Sequence, residues 1–123
     1  MSKKSISRIQ SFQHALRGLG VVFEEPNAKI HGVLAAIAIA LGLALHLDTW
    51  EWVAVVFAIA SVIGAEAMNT ALEKVVDLAS PEWHEIAGQA KDAAAAAVLI
   101  VSMGAAVVGL IIFLPRLIAL TSI

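Results

Sequence analysis

The sequence predicts an all-α membrane protein: an N-terminal amphipathic surface helix followed by three transmembrane helices, in one domain over residues 1–123. Three observations lead there. Of the 123 residues, 60% are hydrophobic and only 15% are charged, against roughly a quarter charged in an ordinary soluble domain. Three uncharged runs occur: 30–47 and 93–114 are long enough to approach a hydrocarbon core of ~30 Å at ~1.5 Å per residue, and the shorter run from Trp52 to Ala65 lies within a longer helical pattern. The polar residues gather between those runs and do not alternate with them. A net charge of −2 gives no reason to expect nucleic acid, and without cysteine there is neither a disulfide nor a thiolate metal site.

Residues 6–23 read as the amphipathic helix. Ile6, Ile9, Phe12, Leu16, Leu19 and Phe23 recur at spacings of three and four, with Arg8, Ser11 and His14 towards the other side. The segment is too polar to span a membrane but suits its interface, apolar side down. From Met1 to Lys29 there is no long apolar run and no small-residue cleavage site, so no cleavable signal peptide is expected. Pro26 is expected to break the chain.

Residues 30–47 are the first span, with no polar side chain from Gly32 to Leu45. Asp48-Thr49-Trp50-Glu51 then fits a capping box, with Asp48 as N-cap and Glu51 at N3. Trp50 and Trp52 suit a membrane–water interface. The second helix is expected over 49–79, with the second span at about 50–72. Ser80-Pro81 looks like the next helix start, Ser80 as N-cap and Pro81 at N1. That third helix would run over 81–114 and span the membrane over 93–114, where no charge occurs; Pro115 and Arg116 would end it. Alanines 93–97 read as small residues for close helix packing.

Lysine and arginine set the expected orientation. Lys3, Lys4, Arg8, Arg17 and Lys29 precede the first span, none occurs at 46–51, Lys74 and Lys91 lie in the second connection, and Arg116 stands alone near the C-terminus. The N-terminus and second connection are therefore expected in the cytoplasm, and the first turn and C-terminus outside.

At ~100° per residue, Asn69, Thr70, Glu73 and Asp77 all fall within about 60° of Glu66 on one helix face. Glu66 follows an uncharged run from Trp52 to Ala65, which puts it at or just inside the membrane boundary. A charge at the bilayer centre costs at least ~2.5 kcal/mol, less towards the edge, and stacked carboxylates repel. A metal ion, Lys91 or protonation of one carboxylate must offset this. A plainly solvated helix end would scatter its charges around the helix, and this one does not. Lys91-Asp92 alone also reads as an interfacial anchor, and His84 beside Trp83 as an interfacial residue. His46 reads the same way. His31 lies at the cytoplasmic end of the first span with its role open.

Phosphoryl transfer asks little of a protein: a divalent cation bridging phosphates, positive charge on them, and a carboxylate to orient the attacking hydroxyl. The stripe supplies carboxylates, and Lys91 or Lys29 the positive charge. Neither GxxxxGK[ST] nor GxGxxG occurs, so no soluble nucleotide-binding fold is expected.

At these residues the sequence resembles the prokaryotic diacylglycerol kinase family, which includes undecaprenol kinases. The resemblance is carried by Glu66-Ala-Met-Asn69-Thr-Ala-Leu-Glu73-Lys-Val-Val-Asp77, then His84 and Ala90-Lys91-Asp92. Arg17-Gly-Leu and Asn27-Ala-Lys-Ile-His31 also fit, and the likeness covers essentially the whole chain. It implies a homotrimer in the bacterial cytoplasmic membrane that transfers phosphate from Mg2+-ATP to a lipid alcohol. By the same resemblance Glu66 looks like the general base, Asn69 the group that positions Glu66 and the phosphate, and Glu73 a metal-coordinating glutamate. Asp77, Lys91 and Asp92, with Glu73, look like the nucleotide site. The family's second metal-binding glutamate precedes the first span, where this sequence departs from the pattern. Glu25 is preferred there over Glu24 and His31. The Asn-x-Lys-Ile-His and Asn-Thr-Ala-Leu-Glu forms are more like the undecaprenol kinase branch.

The competing reading is a small transporter or channel subunit whose carboxylates bind a cation. That would place charges near mid-span in more than one helix, whereas here each span is uncharged at its centre.

Overall fold

The computed structural model describes residues 3–122; the side chains of Ser5 and Ile6 are not included, so the place of Ile6 on the amphipathic face lies outside the described residues. Four helices follow in order: α1 (Lys3–Val22), α2 (Pro26–Ala44), α3 (Thr49–Ala79) and α4 (Glu85–Thr121). The last three are each long and apolar enough to cross a membrane, and the chain is a multi-pass membrane protein. On α1, Ile9, Phe12, Leu16 and Leu19 are exposed, the face an interfacial helix turns to lipid.

Helix α3 is the centre of the fold, with α4, α2 and α1 all packing on it. Near the α2–α3 turn, Leu47, Val55 and Ile112 are buried together, with Trp52, Ile59 and Phe113 against them. Large apolar residues such as Phe57, Ile100 and Ile111 point outward. Between α2 and α4, floored by α3, runs an apolar groove of about 480 Å³.

Local chemistry explains where the helices begin and end. Asp48 and Glu51 form the expected capping box: Glu51 N–H donates to Asp48 Oδ1 at 2.9 Å, and Asp48 N–H to Glu51 Oε1 at 3.1 Å. Pro26 opens α2 and does not simply break the chain. At the first helical position its missing N–H would have had no partner anyway.

Both ends of the last helix differ from the sequence expectation. It starts at Glu85, not Pro81, because Ser80 is engaged in closing α3: its N–H donates to Val76 O at 2.8 Å and its hydroxyl to Glu82 O at 3.0 Å. His84 takes over as N-cap, its Nδ1 accepting from Ile86 N–H at 3.1 Å. At the other end α4 runs through Pro115 to Thr121. Proline removes one backbone hydrogen bond. Its neighbours Leu114, Leu117 and Ile118 are apolar and exposed, and in lipid a helix is what keeps the remaining backbone groups paired. Arg116 also holds the segment, pairing with Glu51 and donating to Leu45 O at 3.0 Å.

Candidate active site

The polar half of α3 lies at the opposite end of the bundle from the α2–α3 turn. There Glu66 and Thr70 are the buried polar residues, each 3% exposed. A carboxylate so enclosed needs a donor, and it has one: His31 Nδ1 lies 2.7 Å from Glu66 Oε1. On the far side of the imidazole, Nε2 lies 3.4 Å from Ser102 Oγ. An ionised carboxylate only accepts, so chemistry assigns the proton to Nδ1 and leaves Nε2 to accept from the Ser102 hydroxyl. One residue from each of α2, α3 and α4 thus meets at this point. His31 and Ser102 also line the groove and are the polar side chains in its otherwise apolar wall.

One turn further along α3, the Asn69 amide donates to Glu73 Oε1 at 3.2 Å, so in this structure it turns to Glu73 and not to Glu66. The Asn69 carbonyl oxygen and the Thr70 hydroxyl are buried without a partner among the described residues. Beyond them Lys91 of α4 forms an ion pair with Asp77 of α3. Both line a smaller cleft of about 210 Å³ with Ser80, Trp83 and His84. Asp92 is exposed beside this cleft's lysine, Glu25 is half-buried at the start of α2, and Glu24 is exposed. The structure therefore brings Glu66, His31 and Ser102 together, Asn69 with Glu73, and Asp77 with Lys91. It does not bring Glu25 into a shared cluster: among the described residues no three or more histidines and acids gather as a metal site.

Sequence reasoning left His31 open and passed over Ser102. Relative position along the chain gives a signal. The stretch from His31 to Leu47 is nearly the same length as that from Thr49 to Glu66, so His31 and Glu66 both sit about 25 Å from the α2–α3 turn. Likewise the stretch from Ser102 to Arg116 nearly equals that from Glu51 to Glu66, and Arg116 and Glu51 are the two residues that pair at the other end.

The prokaryotic diacylglycerol kinase family matches residues 13–113. The chain belongs to that family. It is 37% identical over 109 residues to the undecaprenol kinase of Bacillus subtilis (strain 168), covering 88% of this chain and 89% of that one. It is 37% identical over 112 residues to a diacylglycerol kinase of Synechocystis sp., covering 89% of this chain and 64% of that one. With the diacylglycerol kinase of Escherichia coli (strain K12) the identity is 32% over 93 residues, 75% of this chain and 76% of that one. The protein is a lipid kinase, and ATP and a lipid are the substrates its family implies.

Proposed function

We propose that the protein transfers the γ-phosphoryl group of Mg2+-ATP directly to the hydroxyl of a membrane lipid alcohol at the cytoplasmic face, as a homotrimer, with undecaprenol favoured over diacylglycerol. The observation that carries this is the placement of a buried carboxylate, Glu66, beside the polar end of an apolar groove. A lipid tail lying in such a groove brings its hydroxyl to the carboxylate, where hydrocarbon ends and water begins.

Glu66 accepts the hydroxyl proton as the lipid oxygen bonds to the γ-phosphorus; the bond from that phosphorus to the bridging oxygen breaks, and ADP leaves with that electron pair. Glu73 and the unpartnered Asn69 carbonyl oxygen fit a hard cation, which takes oxygen ligands and is held by one or two carboxylates alongside substrate phosphates. Glu25 is the second candidate ligand. A Mg2+ ion held by these residues would supply positive charge to the phosphates. Lys91, held by Asp77, offers a cation to the nucleotide, and Asp77 and Asp92 line its approach. From Glu66 to Asp77 is about 16 Å along α3, so acceptor and nucleotide ends of the stripe are separated in the order the reaction needs. The undecaprenol preference rests on the Asn-x-Lys-Ile-His31 form and on likeness to the Bacillus subtilis enzyme.

The test uses purified protein in mixed micelles with γ-labelled ATP, and undecaprenol and diacylglycerol side by side. Both Glu66→Gln and the parent protein are assayed, and nucleotide affinity is measured on the same preparations. Label is expected in both lipids, faster in undecaprenol. Turnover of Glu66→Gln should fall by ~100-fold or more with ATP binding retained. Near-normal turnover removes Glu66 from the mechanism, and joint loss of turnover and ATP binding assigns it to the metal or the fold.

A further inference from the structure

We infer that His31 is the positioning residue for Glu66, and that Ser102 fixes the imidazole in the tautomer this requires. The inference rests on the reading of Glu66 as the base. Among the carboxylates of the stripe, Glu66 is the one whose charge is costliest to hold, directly behind an uncharged run and 3% exposed. The histidine N–H at 2.7 Å holds Oε1, offsetting part of that cost and leaving Oε2 for the lipid hydroxyl. Such a bond to an ionised group is stronger than one between neutral partners. It also removes rotational freedom from a side chain that must meet an incoming oxygen.

The same geometry answers which of His31 and Glu25 belongs to a metal. A histidine ligates through an unprotonated ring nitrogen. Here Nδ1 is turned to Glu66 and Nε2 to Ser102, so both nitrogens are engaged. The nearest part of the nucleotide stripe, Asn69 with Glu73, forms its own pair. His31 therefore acts on Glu66 and not on the cation.

The assay compares His31→Leu, His31→Asn and Ser102→Ala with the parent protein, with saturating lipid, ATP and Mg2+. Leucine removes the donor, while the asparagine amide returns an N–H close to where Nδ1 stood. Small misplacements of a reacting group cost up to ~100-fold, so kcat of His31→Leu should fall by about 10- to 100-fold with the KM for ATP little changed. His31→Asn should recover most of that loss, and Ser102→Ala should give a smaller fall in the same direction. A kcat for His31→Leu within about twofold of the parent overturns the inference, as does an asparagine variant as slow as the leucine one. A defect in His31→Leu that raising Mg2+ abolishes would make His31 a metal ligand instead. If His31→Leu does not survive extraction, His31→Asn and Ser102→Ala decide: near-parent kcat in Asn with a loss in Ser102→Ala supports positioning, and parent-like kcat in Ser102→Ala rejects the tautomer role. Glu66→Gln on the same preparations separates the two readings. Turnover retained there defeats the base assignment itself; turnover lost there but kept in His31→Leu defeats only the positioning role.

Discussion

Asn69 and Glu73 show how closely a charge and its neighbour can be specified by one helical turn. The asparagine at i and the glutamate at i+4 face each other, and the amide donates to the carboxylate at 3.2 Å. That leaves the asparagine carbonyl oxygen buried and without a partner among the described residues, which costs free energy unless a ligand completes it. Glu73→Gln keeps the size of the side chain and an oxygen that still accepts from Asn69, so it removes the charge with little else. The Mg2+ concentration for half-maximal rate should then rise by about tenfold or more, as when a metal's supporting groups are altered, while the lipid KM stays close to that of the parent. A titration of activity against Mg2+ at fixed lipid, and against lipid at saturating Mg2+, checks this; a raised lipid KM with unchanged Mg2+ dependence reassigns Glu73. At this scale the stripe was legible because the helical period fixes which residues of a single helix share a face. The partner of Glu66 was not. His31 lies 35 residues away on another helix, and its equal depth emerges only when residues are counted back along both helices from the α2–α3 turn.

The helices themselves were legible wherever a cap speaks for one helix alone. The capping box opened α3 at Thr49, as the sequence implied. At the α3–α4 connection two helices compete for Ser80, and the ending helix takes it. A pattern of residue types cannot rank such claims, since both are good uses of a serine. The end of α2 is a third case. His46 adopts a positive φ of 53°, with its N–H donating to Leu43 O at 3.4 Å and that of Leu47 to Gly42 O at 3.2 Å. These are the two bonds of a Schellman motif, made with histidine where glycine is usual. The turn folds Leu47 back over Gly42 and brings Trp52 against it. A Cβ at position 42 would lie 2.8 Å from Trp52 Cη2 and 3.0 Å from Leu47 Cδ1. Neither neighbour can move freely, because both belong to the small core with Val55 and Ile112. Gly42→Ala gains about 1 kcal/mol of helix propensity against an overpacking cost of about 1–3 kcal/mol. The net expectation is a lower midpoint of thermal unfolding in detergent, by a few degrees, with kcat unaffected since the proposed site is at the other end. A higher midpoint would mean that the turn relaxes more easily than its packing suggests.

At the scale of the whole molecule, the fold sorts its polar chemistry to one end of the bundle and its structural ion pair to the other. Glu66, Glu73, Asp77 and Lys91 lie along the far half of α3 and the first turns of α4, whereas Arg116 ties Glu51 and the end of α2 at the α2–α3 turn. Arg116 is thus the one basic residue near the C-terminal flank, and its charge is matched locally by Glu51. The opposite end carries Lys3, Lys4, Arg8, Arg17 and Lys29 ahead of the first span, with Lys74 and Lys91 besides. Basic residues in short flanks are retained on the cytoplasmic side, so from this imbalance we propose that the N-terminus and the Glu66 end face inward, where ATP is available, and the C-terminus outward. The three spans of the chain require the two termini to lie on opposite faces, so one measurement fixes all the flanks. A reporter that works only outside the cytoplasm, fused after Ile123, should be active, and one that works only inside should be silent. The reverse result would put the carboxylate stripe on the side without nucleotide and would remove the proposed site together with the orientation. As an internal control, inserting lysines into the 46–51 turn, which has none of its own, should lower the outside signal, because the same rule that sets the orientation would then oppose it.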